Sequence, residues 1–345
     1  MDMPVTIKDV AAETGLAIST ISKFMNGGNV RADNAVRIQE AVRRLGYFPD
    51  SIARGLRTAR TYTIGLIVCY FSDAHVIAIS QAIEETLQDN GYFTIICCHN
   101  DDYKRAEDAA DFLIQKQVDG VILEGYATED AVTGKFRDAG IPVVCLEALF
   151  GKNETDSVVI DGTWGTYRAV EDMIENGHTK IAIIAGTHGY YTAEERLRGF
   201  KRAMEDYELP LPEEYIIDSD YTCEGGERSL RKIWTLKNRP TAVFISNYSM
   251  CIGAVAAANR LKIRIPDDLT VTTYDDMELS KLVKPHLSAV RQSFSEMGKM
   301  AAQLLLRRIN GDISDFPKRV RLKSKYIPRD SVGRLQKNNI GEWNE

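Results

Sequence analysis

The sequence predicts a two-part protein: an N-terminal all-α helix-turn-helix head, then a larger α/β body built as two parallel-sheet lobes. Three observations predict it. Residues 6–46 hold three short amphipathic stretches with helix start and stop residues. From Thr61 onward, continuous apolar runs alternate with amphipathic helical stretches, the pattern of parallel sheets covered on both faces. The charge is also split. Residues 1–60 carry nine Lys/Arg against six Asp/Glu, a net of +3, whereas the remainder carries 34 against 43, a net of −9. A basic head on an acidic body suits a polyanionic partner at one end only.

The 345 residues are enough for two or three domains, and 44% hydrophobic with 27% charged residues is ordinary for a globular protein. No run of about 18 apolar residues exists, so no membrane span is expected. The opening "MDMPVTIKDVAAETG" has no apolar signal core, so a cytoplasmic protein is expected. Cys69, Cys97, Cys98, Cys145, Cys223 and Cys251 form no C-x-x-C pair and read as reduced residues. No metal or cofactor is expected.

In "TIKDVAAETG", Thr6 is a candidate N-cap, Asp9 stands three residues on, and Gly15 stops the helix. "LAISTISKFMNGG" follows after a tight turn, with Leu16, Ile21, Phe24 and Met25 as its buried face. "NAVRIQEAVRRLGY" is the third helix, with Ala35, Ile38, Val42 and Leu45 inward and Gly46 at its end. The second helix turns Ile18, Ser19, Ser22 and Lys23 outward. Hydroxyls, one cation and an exposed Ile make a poor solvated face but a workable major-groove face. The competing reading is a small protein-docking domain. "SIARGLRTAR" (51–60) comes next, with Ile52, Ala53 and Leu56 on one face of a helix about two turns long, too short to be stable alone.

In the body, strand-like runs "YTIGLIVCYF", "YFTIICCHN", "VDGVILEGY" and "IPVVCLEAL" are separated by helices near 74–90, 103–117 and 129–139. A second unit is expected to start at "SVVIDG". Its helices lie near 163–177, 193–207, 224–237 and 249–262, and its strands are "KIAIIAG", "YIIDSD", "TAVFISN" and "LTVTTYDD". Ligands of open α/β sheets bind beyond the carboxyl ends of strands. Those ends carry Ser72, Asp73, His75, Tyr126, Glu147, Asp161, Asn247 and Asp275, with Tyr221 after a strand and Arg196 on a helix. Carboxylates, an amide, an Arg and an aromatic form a polyol-binding set. Singly, each has a plainer reading: Asp161 as a helix cap, Arg196 on a helix surface, Asp275 in a turn, His75 as structure. The helix "SFSEMGKMAAQLLLRRI" (293–309) is either a dimer-face helix of the first lobe or an ordinary core helix. The tail "RLQKNNIGEWNE" has no leucine heptads and so no tetramerisation coil.

"TIKDVAAETGLAISTISKFMNG" resembles the DNA-binding head of the lactose-repressor (LacI/GalR) family of bacterial transcription regulators. "ARGLRTARTYTIGLIV" resembles that family's hinge and first core strand, and the likeness runs to about residue 328. "ERLRGF" resembles its R-x-x-G-F, "SNYSMCIGAV" its A-N-D-x-x-A-x-G, and "TYDD" its G-[FY]-D-D. "VVIDGTWGTYRAVEDMIENGHTKIAIIAG" resembles the segment carrying Asp161.

The resemblance implies periplasmic-binding-protein-like lobes and a hinge that becomes helical when two subunits meet on DNA, with Leu56 as a minor-groove wedge. It implies four segments: a head over 1–49, a hinge over 50–61, an effector-binding and dimerisation body over 62–330, and a tail over 331–345. DNA contacts are expected from Thr6, Ile18, Ser19, Thr20, Ser22, Lys23, Asn26, Ala53, Arg54 and Leu56. Effector contacts are expected from Asp73, His75, Asp161, Arg196, Tyr221, Asn247 and Asp275. The expected protein is a homodimeric regulator of carbohydrate-related genes on double-stranded operator DNA, switched by a sugar-like effector. Alternatives are control by a partner protein, or a sugar-binding transport protein, which would need a secretion signal and no head. No G-x-x-x-x-G-K-[ST], G-x-S-x-G or metal spacing supports an enzyme. The pocket departs from the family pattern at His75, Val76, Glu147 and Tyr248, and the head at Ala17, Lys23 and Arg31.

Overall fold

A computed structural model of the chain describes residues 5–25, 28–47, 60–125, 129–149 and 155–335. Asn26, Ala53, Arg54, Leu56 and Tyr126 lie outside the described residues, with most of the expected hinge and tail. The chain divides into two compact units, Met1–Tyr62 and Thr63–Glu345.

The first unit holds α1 (Ile7–Thr14), α2 (Ile18–Met25) and α3 (Ala32–Leu45). Val10, Ile21, Ile38 and Ala41 form its core, with Leu16, Phe24, Met25, Val42 and Leu45 packed around them. The Thr6 N–H and hydroxyl both donate to the Asp9 carboxylate, at 2.7 and 2.8 Å, closing the start of α1. Gly15 ends α1 and Gly46 ends α3, both in the left-handed conformation. Arg37 donates to the Thr14 carbonyl, and Arg44 pairs with Glu13, tying α3 to α1.

The second unit has two sheets. Its elements run β1 (Thr63–Val68), α4 (Ala74–Gln88), β2 (Phe93–Cys98), α5 (Tyr103–Gln115), β3 (Gly120–Glu124), α6 (Glu129–Asp138), β4 (Val143–Leu146), β5 (Asp156–Ile160), α7 (Gly162–Glu175), β6 (Ile181–Ala185), α8 (Tyr191–Asp206), β7 (Ile216–Asp218), α9 (Cys223–Trp234), β8 (Ala242–Ile245), α10 (Tyr248–Arg260), β9 (Thr270–Tyr274), α11 (Glu278–Leu282), β10 (Ser288–Arg291), α12 (Phe294–Ile309), β11 (Arg319–Leu322) and β12 (Lys325–Ile327). The N-terminal lobe has the all-parallel order β11-β5-β4-β3-β1-β2, and the C-terminal lobe β12-β10-β9-β8-β6-β7, antiparallel only at β12. The central strands are wholly buried, as their unbroken apolar runs require.

Two expectations need correction. "SVVIDG" does not open the second lobe: β5 pairs with β4 and β11 and closes the first sheet. The reason is that the crossover comes after the strand, at Asp161, where α7 begins. The C-terminal lobe also runs past the expected boundary at 330. The Ser331 hydroxyl donates to the Val271 carbonyl at 2.6 Å and accepts from the Ser288 N–H at 2.8 Å. The short strands β10, β11 and β12 were not anticipated, and they matter because the chain uses them to cross between lobes. It passes from β5 to α7, from β10 to α12, and from β11 to β12. The helix expected at 293–309 is α12, which packs against α4 in the N-terminal lobe and runs beside β3, β4 and β5.

A buried ion pair fastens that return. Arg308 on α12 donates to Asp156 on β5 at 2.6 and 3.1 Å, both side chains being almost fully buried. Asp156 also accepts the Lys318 N–H at 2.6 Å, next to β11. Removing one partner of such a pair strands the other charge in the core. Asp156→Ala is expected to lower unfolding free energy by about 3–5 kcal/mol, read as a fall in the urea midpoint.

Candidate functional site

The carboxyl ends of both sheets face one cleft, and the side chains there come from both lobes. On the N-terminal wall, Asp73 precedes α4 and His75 lies in its first turn. Glu124 ends β3. Its Oε2 accepts the Cys69 N–H at 3.1 Å, and its Oε1 is 3.5 Å from His75 Nε2. Glu147 follows β4, with Oε2 3.8 Å from the same nitrogen.

On the C-terminal wall, buried Arg196 projects from α8 and stacks over the Tyr274 ring at 3.9 Å. It donates to the Ser246 carbonyl at 2.6 Å. Asn247 caps α10, its Oδ1 accepting the Met250 N–H at 2.9 Å and its Nδ2 donating to the Tyr221 carbonyl at 3.2 Å. Asp275 follows β9 and accepts from Gln292, which stands in the second crossover. Tyr221 leans on Gly186, where a Cβ would lie 2.0 Å from its ring.

Glu147, Tyr221 and Asp275 all have left-handed backbones, φ 54°, 61° and 72°. Non-glycine residues held there store local strain. Two contacts cross the cleft. Tyr190 donates to Asp101 at 2.6 Å, and Ser249 to Asp73 at 3.4 Å. The space left among the side chains is about 20 Å³, so the walls stand closed on each other.

Of the expected effector residues, Asp73, His75, Arg196, Tyr221, Asn247 and Asp275 gather in this cleft. Asp161 does not. Its carboxylate caps α7, accepting the Trp164 N–H at 3.0 Å, and it borders a separate pocket beside Arg321. Glu124, Thr192 and Gln292 were not singled out from the sequence. A lone acid ending the apolar run "GVILE" was the available sign for Glu124.

Burial opposes the charge on His75, but the facing carboxylates of Glu124 and Glu147, with Asp275 beyond, outweigh it and raise its pKa to about 10. Burial also raises Glu147 and Asp73, with His75 and, for Glu147, Arg196 pulling the other way. Arg196 stays charged: burial lowers its pKa, and Tyr221 and Asp275 more than restore it.

In the head, Ile18, Ser19 and Lys23 are exposed on α2, while Thr20 and Ser22 are half-buried. Thr6 is exposed, with its hydroxyl proton given to Asp9.

Residues 6–50 match "Bacterial regulatory proteins, lacI family", and residues 170–332 match "Periplasmic binding protein-like domain". The chain is 31% identical to catabolite control protein A of Priestia megaterium over 316 residues, covering 91% of this chain and 95% of that one. This chain belongs to the lacI family of bacterial regulatory proteins. It is also 32% identical to the HTH-type transcriptional repressor PurR of Vibrio vulnificus (strain CMCP6), covering 96% and 99%. Among solved structures, the lac repressor dimer bound to operator and an anti-inducer shares the fold, with a TM-score of 0.85 at 23% identity over 96% of this chain and 100% of that one. A transcriptional regulator CelR–cellobiose complex matches with a TM-score of 0.74 at 26% identity, covering 95% and 99%. The chain is a DNA-binding transcription regulator. No described helix is long and apolar enough to cross a membrane.

The raised pKa of His75 has a thermodynamic sign. A group whose pKa rises on folding adds stability that is fully present below about pH 6.5 and is lost as pH climbs through about 10. Stability is therefore expected to fall between pH 7 and 10, with a shallower slope in His75→Gln, measured by urea unfolding at each pH.

Proposed function

We propose that this regulator is a cytoplasmic homodimeric repressor, and not an enzyme, that binds double-stranded operator DNA and is switched by a sugar or sugar derivative held between its lobes. The observation that carries the effector half is the convergence of Arg196, Asn247 and Asp275 from one lobe on the acids and His75 of the other. Paired donors and acceptors with a tyrosine wall suit a polyhydroxylated ligand, and a polar pocket rejects analogues that leave its groups unpaired. The CelR relative in complex with cellobiose supports the class.

On the DNA side, exposed Ile18, Ser19 and Lys23 on α2 offer a thymine-methyl contact, a hydroxyl and a guanine or phosphate contact. The dimer would place two such helices on the half-sites of a pseudo-palindrome. Ala53, Arg54 and Leu56, with Thr6, Thr20, Ser22 and Asn26, complete the proposed DNA contacts.

The effector test is a thermal-shift screen of sugars and sugar phosphates. A binder at a hundredfold excess over its Kd adds about 2.7 kcal/mol of stability, and Arg196→Ala or Asp275→Ala is expected to abolish the shift. A hit that survives both changes places the ligand elsewhere and refutes this cleft. Lys23→Ala is expected to weaken operator binding about 10- to 100-fold in fluorescence anisotropy at fixed salt.

A further inference from the structure

The N-terminal wall holds a donor set that polyol recognition does not require. His75 Nε2, Glu124 Oε1 and Glu147 Oε2 come from three elements: the first turn of α4, the end of β3, and the turn after β4. All three atoms lie within 4.8 Å of one another. The nitrogen is 3.5 Å from one oxygen and 3.8 Å from the other. Both separations are longer than the roughly 2.7–2.9 Å of a closed charge-assisted hydrogen bond. Donors bound at about 2.0–2.2 Å to one metal ion stand roughly 3 Å or more apart, close to this spacing.

A second observation points the same way. Glu124 is 3% exposed, and apart from the 3.5 Å contact with His75 Nε2 its Oε1 has no hydrogen-bond partner among the described residues. Its other oxygen is fixed by the Cys69 N–H, so the orphaned oxygen cannot turn away without breaking that bond.

We propose that His75, Glu124 and Glu147 are three ligands of a divalent transition-metal ion of the zinc class, seated in the N-terminal wall of the cleft. One imidazole and two carboxylates suit Zn²⁺ or Co²⁺. Ca²⁺ and Mg²⁺ prefer all-oxygen sets. Three protein ligands leave further positions open, as in exchangeable zinc sites. The surrounding charge favours a cation: Asp73 on α4 and Asp275 after β9 add to the two glutamates, against Arg196 on α8, whose guanidinium is held to the Ser246 carbonyl. Phe294 on α12 covers the imidazole with ring centroids 6.1 Å apart. The proposal goes beyond the effector reading, and its test uses neither sugar nor operator, so each can fail without the other.

The test is a Co²⁺ titration of the full-length protein at pH 8. It is read by the visible d–d absorption and by the melting temperature. One saturable site per chain, with a Kd below about 100 µM, is expected. His75→Gln and Glu147→Gln should each weaken it at least tenfold. Cys98→Ser, which removes an exposed thiol outside the set, should leave it unchanged. Wild-type protein that takes up no Co²⁺ overturns the proposal without recourse to any variant. Equal affinity in His75→Gln overturns it too, as does loss of the site in Cys98→Ser.

Discussion

Three crossings of the chain between two sheets are the constraint on which the site depends. Each parallel sheet ends its strands in loops rich in polar residues, and alone either row of loops would face water. The crossings after β5, β10 and β11 hold the two rows opposite each other. They also place polar side chains at the pivot. Gln292 reaches Asp275 from the second crossing, and Ser324 in the third donates to the Asp161 carbonyl at 2.8 Å. The buried Arg308–Asp156 pair fixes α12 beneath the first sheet, where the returning chain must be anchored for a crossing to be a pivot and not a loose tether.

Charge is the second constraint. Asp73, Glu147 and Asp275 line a space closed to about 20 Å³ with Arg196 and His75, and Glu124 stands 3.5 Å from His75. Carboxylates packed this closely call for positive charge among them. Arg196 answers for the C-terminal wall, stacked on Tyr274. On the N-terminal wall His75 stands between the carboxylates of Glu124 and Glu147. Left-handed backbones stand directly after β4 at Glu147 and after β9 at Asp275, and three residues after β7 at Tyr221, and all three side chains line the cleft.

Much of the fold was legible because it rests on long periodic stretches. The head helices, the eight body helices named from the sequence and the central strands all follow from apolar spacing and caps, within a few residues. What escaped were β10, β11 and β12, with four, four and three residues, and the five-residue helix α11. Runs so short carry almost no periodicity, and β11 and β12 are only partly buried, so composition does not mark them as strands. The assignment of β5 to the first lobe is likewise a matter of pairing, which one strand's residues do not record.

The candidate site was legible by type and ambiguous by residue, for one physical reason. In an α/β fold the residue after a strand is also the residue before a helix, and Asp and Asn serve both as caps and as ligand contacts. Asp161 spends its carboxylate on the Trp164 N–H and stays out of the cleft. Asn247 caps α10 through its oxygen and still lines the cleft, because its amide turns the other way to hold Tyr221. Local sequence is alike in the two cases. What separates them is tertiary placement: Asn247 lines the cleft between the lobes, whereas Asp161 stands beside Arg321, 3.9 Å away, at a separate pocket. Glu124 is the converse. No helix start explains an acid ending a buried strand, and a carboxylate buried there with one oxygen lacking a hydrogen bond is costly. Such a residue speaks for the chemistry of the cleft more directly than any cap does.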